Sequence, residues 1–228
     1  MKAFCITLAG HEYSEAVSRR CIQSAADVGG IEVWPFWAVG PEAAGEAMRC
    51  RSLRWTWTTE GVRHCPITGL RQHPYGGSVA ARIGCAMSHL LLWEMCVSLA
   101  EPILVLEHDA VIVRRMPEFE FSSICQINDP AGATRRGEWW SEQMRRRGVT
   151  GVQPKTWVTN PRERIPDGLA GNSAYVIQPQ AAQALIDLYR ELGVWPNDAT
   201  MCAQLVPDLE EYYPFITRVE QGMSTTSA

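Results

Sequence analysis

Residues 81–99, "ARIGCAMSHLLLWEMCVSL", are apolar nearly all round, interrupted only by Arg82, Ser88, His89 and Glu94. A helix without a wide polar face has to be covered on most of its sides, which places this one at the centre of the molecule. Pro102 stops it, and an aliphatic strand, "ILVLE", begins at residue 103. A strand apolar at consecutive positions is covered on both faces. Helix and strand together point to a layered α/β fold.

The same strand raises a chemical question. Glu107, His108 and Asp109 separate "ILVL" from "AVIV", although a carboxylate beside a core is costly unless something pairs with it. Alternate positions of an extended segment point to one side, so Glu107 and Asp109 present two carboxylates to one spot. At the carboxyl end of a strand in an open α/β sheet, that spot is where ligands bind. Two hard oxygen donors suit Mg²⁺ or Mn²⁺, which can bridge the phosphates of a nucleotide. A polar turn whose carboxylates face water is the plainer alternative, and spacing alone does not separate the two.

Around this pair the chain alternates strands and helices. "AFCITL" (3–8) has the composition of a buried strand, and Ser14 is placed to cap a helix over about 15–27. "IEVWPFWAV" is extended, with Pro35 predicting a sheet edge or an irregularity. Residues 51–80 show no sustained period and are expected as a long loop, a class that is usually functional or disordered. "GNSAYVIQ" (171–178) predicts a strand, followed by a helix that has Pro179 at its start and Gly193 just past its end. A short helix capped by Asn197 and a last strand in "YYPFITRVEQ" complete the pattern. The 228 residues suffice for one domain with a full core.

The eight cysteines form no C-x-x-C pair, so they lack the spacing of a zinc site or a disulfide framework. No stretch reaches the roughly 18 apolar residues of a membrane span, and the apolar run in "MKAFCITLAG" is too short for a secretion leader. A cytoplasmic protein is expected. Charge is uneven: residues 135–164 hold eight basic and three acidic residues, a net of +5 in a chain whose total is −4. Such a segment points to an anionic partner.

Gly84, Cys85, Ser88, His89 and Trp93, followed by an aliphatic strand ending in Glu107 and Asp109, resemble the signature of the family-25 glycosyltransferases, the group that includes lipooligosaccharide and collagen galactosyltransferases. That signature is Gly-Cys-x-x-Ser-His on a helix, a Trp four residues beyond the His, then a strand ending in Glu-Asp-Asp. His108 stands where the family has its middle Asp. "ITLAGHEYSEAVSRR", "GNSAYVIQPQAAQALI" and "WPNDATM" resemble, in order, the family's first strand and Arg-bearing helix, its Gly-x-x-Ala-Tyr strand and helix, and its Pro-x-Asp segment.

The resemblance implies a single α/β domain of GT-A-like fold, a Rossmann-type sheet with helices on both faces, that binds a UDP-sugar through Mn²⁺ or Mg²⁺, with residues 1–110 as the nucleotide-sugar and metal half and 111–228 as the acceptor half. It implies Asp109 as the main metal contact and Glu107 as a supporting one. Ser88 and His89 are then expected to touch sugar or diphosphate, Arg19 and Arg20 to steady phosphates, and Thr7 and Leu8 to line the base pocket with backbone groups. Each has a bland alternative: a buried His satisfied in the core, an Arg on an exposed helix face. Asp198, in the Pro-x-Asp segment, is the first candidate for a general base and Asp167 the second.

For the acceptor, Arg135, Arg136, Arg145, Arg146 and Arg147 are interleaved with Trp139, Trp140 and Trp157. Arginines neutralise phosphates and indoles stack on bases. The expectation is therefore a DNA acceptor, such as a phage 5-hydroxymethylcytosine receiving glucose from UDP-glucose. Two alternatives are a saccharide acceptor of lipopolysaccharide or capsule synthesis, and a non-catalytic nucleic-acid-binding protein on the same fold.

Overall fold

The computed structural model describes residues 1–133, 135–155, 162–169 and 171–220. Strand Lys2–Thr7 (β1) leads into helix Glu12–Ser24 (α1), which continues as a π-helical turn over Ala25–Gly29. Strand Trp34–Trp37 (β2) and helix Pro41–Arg49 (α2) follow, then the short strands Arg63–His64 (β3) and Arg71–Gln72 (β4). Helix Val79–Leu99 (α3) precedes strands Ile103–Glu107 (β5), Ala110–Ile112 (β6) and Ile124–Gln126 (β7). Helix Arg135–Arg147 (α4), strands Gly151–Pro154 (β8) and Ala174–Ile177 (β9), and helix Pro179–Leu192 (α5) come next. Helix Asn197–Thr200 (α6) and strands Leu209–Tyr213 (β10) and Thr217–Val219 (β11) close the described chain.

Seven strands form one mixed sheet in the order β2-β1-β5-β9-β7-β10-β8. β1 is parallel to both β2 and β5, whereas β9 runs antiparallel to its neighbours β5 and β7. Helices cover both faces, as the resemblance implies. Alternation along β5 shows how: Ile103 and Val105 pack into the cluster built on α3 and α5, while Leu104 and Leu106 pack with Cys21 and Ala25 on the other face. All four are fully buried. The two expected halves share this sheet, since Leu106 of β5 pairs with Ala174 of β9. Pro35 lies in β2 at the sheet edge, where a missing N–H is tolerated.

Several expectations change. α1 starts earlier than expected and His11, not Ser14, is its cap, accepting from the Ser14 N–H at 3.2 Å. α6 has Pro196 at its cap and includes Asn197, whose side chain makes no capping bond. The last expected strand is divided between β10 and β11, with Pro214 at the break. Within the expected 51–80 loop, β3 and β4 form a small antiparallel pair, and Trp57 and Leu70 pack against Trp195.

Candidate active site

β1 and β5 are parallel and end at the same edge of the sheet, and Glu107 is the last residue of β5. A chain of hydrogen bonds fixes its carboxylate. The Trp93 indole N–H donates to the Tyr175 hydroxyl at 3.0 Å, Tyr175 lies 2.8 Å from His89 Nδ1, and His89 Nε2 lies 3.3 Å from Glu107 Oε1. An ionised carboxylate only accepts, so the bond to Glu107 has Nε2–H as its donor, and in that tautomer Nδ1 accepts from the Tyr175 hydroxyl. Trp93, His89 and Tyr175 are wholly buried, and burial pushes the Tyr175 phenol up so that it keeps its proton.

Asp109 occupies the turn after β5, with its carbonyl accepting from the Glu220 N–H at 2.9 Å. Burial, then repulsion from Glu107, pushes its carboxyl up to about 7, and its Oδ1 is buried with no hydrogen-bond partner. An orphaned carboxylate oxygen beside a second carboxylate fits a hard divalent cation. Cys85 Sγ, a His89 nitrogen and a Glu107 oxygen also lie within 4.8 Å of one another, a softer donor set. That set is poorly suited to a metal: burial holds the Cys85 thiol well above its usual range, and both His89 nitrogens are already engaged.

His108, between the two acids, turns the other way. Its Nδ1 lies 2.9 Å from Ser14 Oγ, which also accepts from the Leu8 N–H at 3.0 Å. Burial lowers its pKa, so it is a neutral tie to α1.

Asp198 reaches the same region from α6. It is solvent-exposed, yet burial is the first cause raising its carboxyl, with Glu107 adding to it and the Ala199 N–H opposing. The carboxylate is thus open to water on one side and crowded by protein on the other. Gly168 permits this position, because a Cβ there would lie 2.0 Å from the Asp198 carbonyl oxygen. The Tyr75 hydroxyl lies against the Asp198 carboxylate, and the Arg82 guanidinium stands 4.4 Å over the Tyr75 ring.

Residues 79–201, more than half the chain, match the model of glycosyltransferase family 25, described as LPS biosynthesis protein. This chain belongs to glycosyltransferase family 25. No curated protein matches its sequence. A crystal structure of mouse xyloside xylosyltransferase 1 in its apo form is similar with a TM-score of 0.43 and 10% identity, over 91% of this chain and 83% of that one.

The family-25 motif proves to be largely a frame for Glu107. Gly84 lets α3 approach the chain before α2, since a Cβ would meet the Val39 carbonyl oxygen at 2.5 Å. Ser88 corrects an expectation: it is fully buried, donates to the Gly84 carbonyl at 2.7 Å and accepts from the Val39 N–H at 2.9 Å, so its hydroxyl is used inside the protein. His89 likewise meets Glu107 rather than solvent. Thr7 is buried with its hydroxyl on the Cys5 carbonyl and its own carbonyl on the Ala38 N–H, and the Leu8 N–H is spent on Ser14. These backbone groups are thus taken up internally. Arg19 and Arg20 are exposed on α1, and Arg20 pairs with Glu220 at 3.5 Å. Asp167 is 1% exposed, which withholds it from an acceptor, whereas Asp198 is open.

The basic segment is corrected most. Arg136, Arg145 and Arg146 pair with Glu163, Asp129 and Glu142 at 3.6, 2.9 and 2.9 Å. Trp140 is 3% exposed, its indole donating to Glu211 at 2.6 Å and its ring carrying Arg147 at 5.0 Å, so it cannot stack on a base. Trp139 is 52% exposed. Trp157 and the side chain of Arg135 lie outside the described residues. Sequence reasoning quoted Tyr175 and Cys85 only as motif letters and gave Arg82 and Tyr75 no role. The signal available for Arg82 was a charge on an otherwise apolar helix.

Proposed function

We propose that this family-25 protein is a metal-dependent transferase that moves a hexosyl group from a UDP-sugar to a hydroxyl of a saccharide acceptor. The observation that carries this reading is the meeting of Glu107, Asp109 and Asp198 in one neighbourhood at the carboxyl end of β5, with the Asp109 Oδ1 left without a partner. Asp109 and Glu107 are the residues to hold Mn²⁺ or Mg²⁺, which when bound would neutralise charge on the departing diphosphate. Asp198 is the general base: its raised proton affinity favours taking the proton of an acceptor hydroxyl as that oxygen attacks the anomeric carbon and UDP departs.

The saccharide is preferred over DNA because α4 spends its charges internally: three of its arginines are ion-paired and Trp140 is buried. No helix among the described residues is long and apolar enough to cross a membrane. Calorimetry with UDP and Mn²⁺ tests the donor side: tight binding by the parent and none by Asp109→Asn is expected, and an Asp109→Asn variant that binds like the parent would refute the metal role. Incubation with UDP-glucose and duplex DNA containing 5-hydroxymethylcytosine tests the acceptor. A hexose-sized mass gain on the modified base would replace the saccharide reading with the DNA one.

A further inference from the structure

The site contains a cation with an unspent donor. Glu107, Asp109 and Asp198 all act on the buried Cys85 thiol, and Arg82 acts on it with opposite sign, so the four charges share one neighbourhood. Arg82 rises from the first turn of α3. One Nη2–H donates to the Gly76 carbonyl, while its Nε is buried with no hydrogen-bond partner. Among the described residues Arg82 forms no ion pair, although three carboxylates are close.

Aromatic rings brace it instead. Its guanidinium stacks on Tyr75, Tyr75 lies at 5.8 Å and 27° on Trp57, and the Trp57 indole is anchored to the His73 carbonyl at 2.8 Å. Tyr75 is thus held between neighbours on α3 and in its own segment, and it remains 40% exposed. A guanidinium kept off the nearby acids, with a buried N–H unused, bears a desolvation cost that an incoming acceptor atom would remove. The charge balance agrees. Three carboxylates outweigh one divalent cation, and Arg82 supplies the difference before an anionic ligand arrives.

We propose that Arg82 is the anion-recognition residue of this site, receiving a phosphate or carboxylate oxygen of the ligand at its Nε edge. This rests on the site being that of the transferase proposed above. The anion is either the diphosphate of the nucleotide sugar or an acidic group on the saccharide acceptor. A planar fork suits either, and a lysine would not reproduce it.

The test is calorimetry on the full chain with Mn²⁺, comparing the parent, Arg82→Gln and Arg82→Lys against UDP, uridine, glucuronate and inorganic pyrophosphate. For a donor diphosphate, Arg82→Gln weakens UDP and pyrophosphate roughly ten- to a hundredfold, the size of a charge-assisted hydrogen bond, and leaves uridine unchanged. For an acidic acceptor, UDP is unchanged and glucuronate binding is lost. Should Arg82→Gln fail to fold, Arg82→Lys carries the comparison, because it keeps a cation over Tyr75 without the Nε–H. Parent-like affinity of the folded variants for every anion overturns the proposal, as does a parent that binds none of them. A parent that binds pyrophosphate through Arg82 but neither UDP nor uridine refutes the transferase reading alone.

Discussion

Through one hydroxyl, Tyr175 accepts from Trp93 and donates to His89, and so favours the tautomer that holds its proton on Nε2, towards Glu107. Tyr175→Phe keeps the ring and removes that preference. It also leaves two buried groups unsatisfied, so a loss of about 1–3 kcal/mol in unfolding free energy is expected by urea titration. Because Glu107 loses its fixed orientation, Mn²⁺-dependent UDP binding should fall by roughly tenfold, an effect a purely structural cost would not produce in the folded fraction. The two glycines that set close approaches separate similarly. Gly84→Ala forces α3 off the Val39 carbonyl and costs about 1–3 kcal/mol. Gly168→Ala presses on the Asp198 backbone instead. Sugar-transfer rate should therefore fall further for Gly168→Ala than its melting temperature would suggest.

At the scale of elements, α3, β5, β9 and α5 were legible because each is long enough, or apolar enough, for its pattern to show. β6, β7 and β8 span only three or four residues, too few for a period of two to declare itself. α2 is not legible although Pro41 stands at its first turn, because its apolar stripe, Ala44, Ala47 and Met48, lies within only nine residues and two of its three members are alanines. Ser14 has the local setting of a helix cap, the usual place of a serine before a helix. Its partner His108 lies 94 residues away, and no local pattern reveals it. α4 shows the same limit where its arginines and indoles point to DNA: neighbouring helical positions point about 100° apart, so Trp139 faces water and Trp140 the core, where its indole meets Glu211 on β10. Trp140→Ala should cost about 3–5 kcal/mol in urea unfolding, whereas Trp139→Ala should stay within about 0.5 kcal/mol. Glu107 and Asp109 were legible because charge in the middle of an aliphatic run is locally conspicuous, and Asp198 because it falls in a motif. Tyr75 and Arg82 depend on how a long loop folds back on a helix.

At the scale of the whole molecule, the site draws on β5, α3, α6 and the 51–80 segment, so a ligand that fills it should stabilise them together. With UDP and Mn²⁺ at about a hundred times Kd, the gain is about 2.7 kcal/mol, or a rise in melting temperature of roughly 5–10 °C for a chain of this size. Chelation with EDTA should abolish the rise, and Asp109→Asn should never show it. A chelated sample that keeps the full shift would separate UDP binding from the metal. The seam between β5 and β9 has its own consequence, in the timing of synthesis. Until residues 174–177 leave the ribosome, "ILVL" of β5 has β1 on one side and nothing on the other, a bare aliphatic edge of the kind that pairs with other chains. The first half should therefore mature late, depend on chaperones while it waits, and aggregate if translation stops short of Ala174.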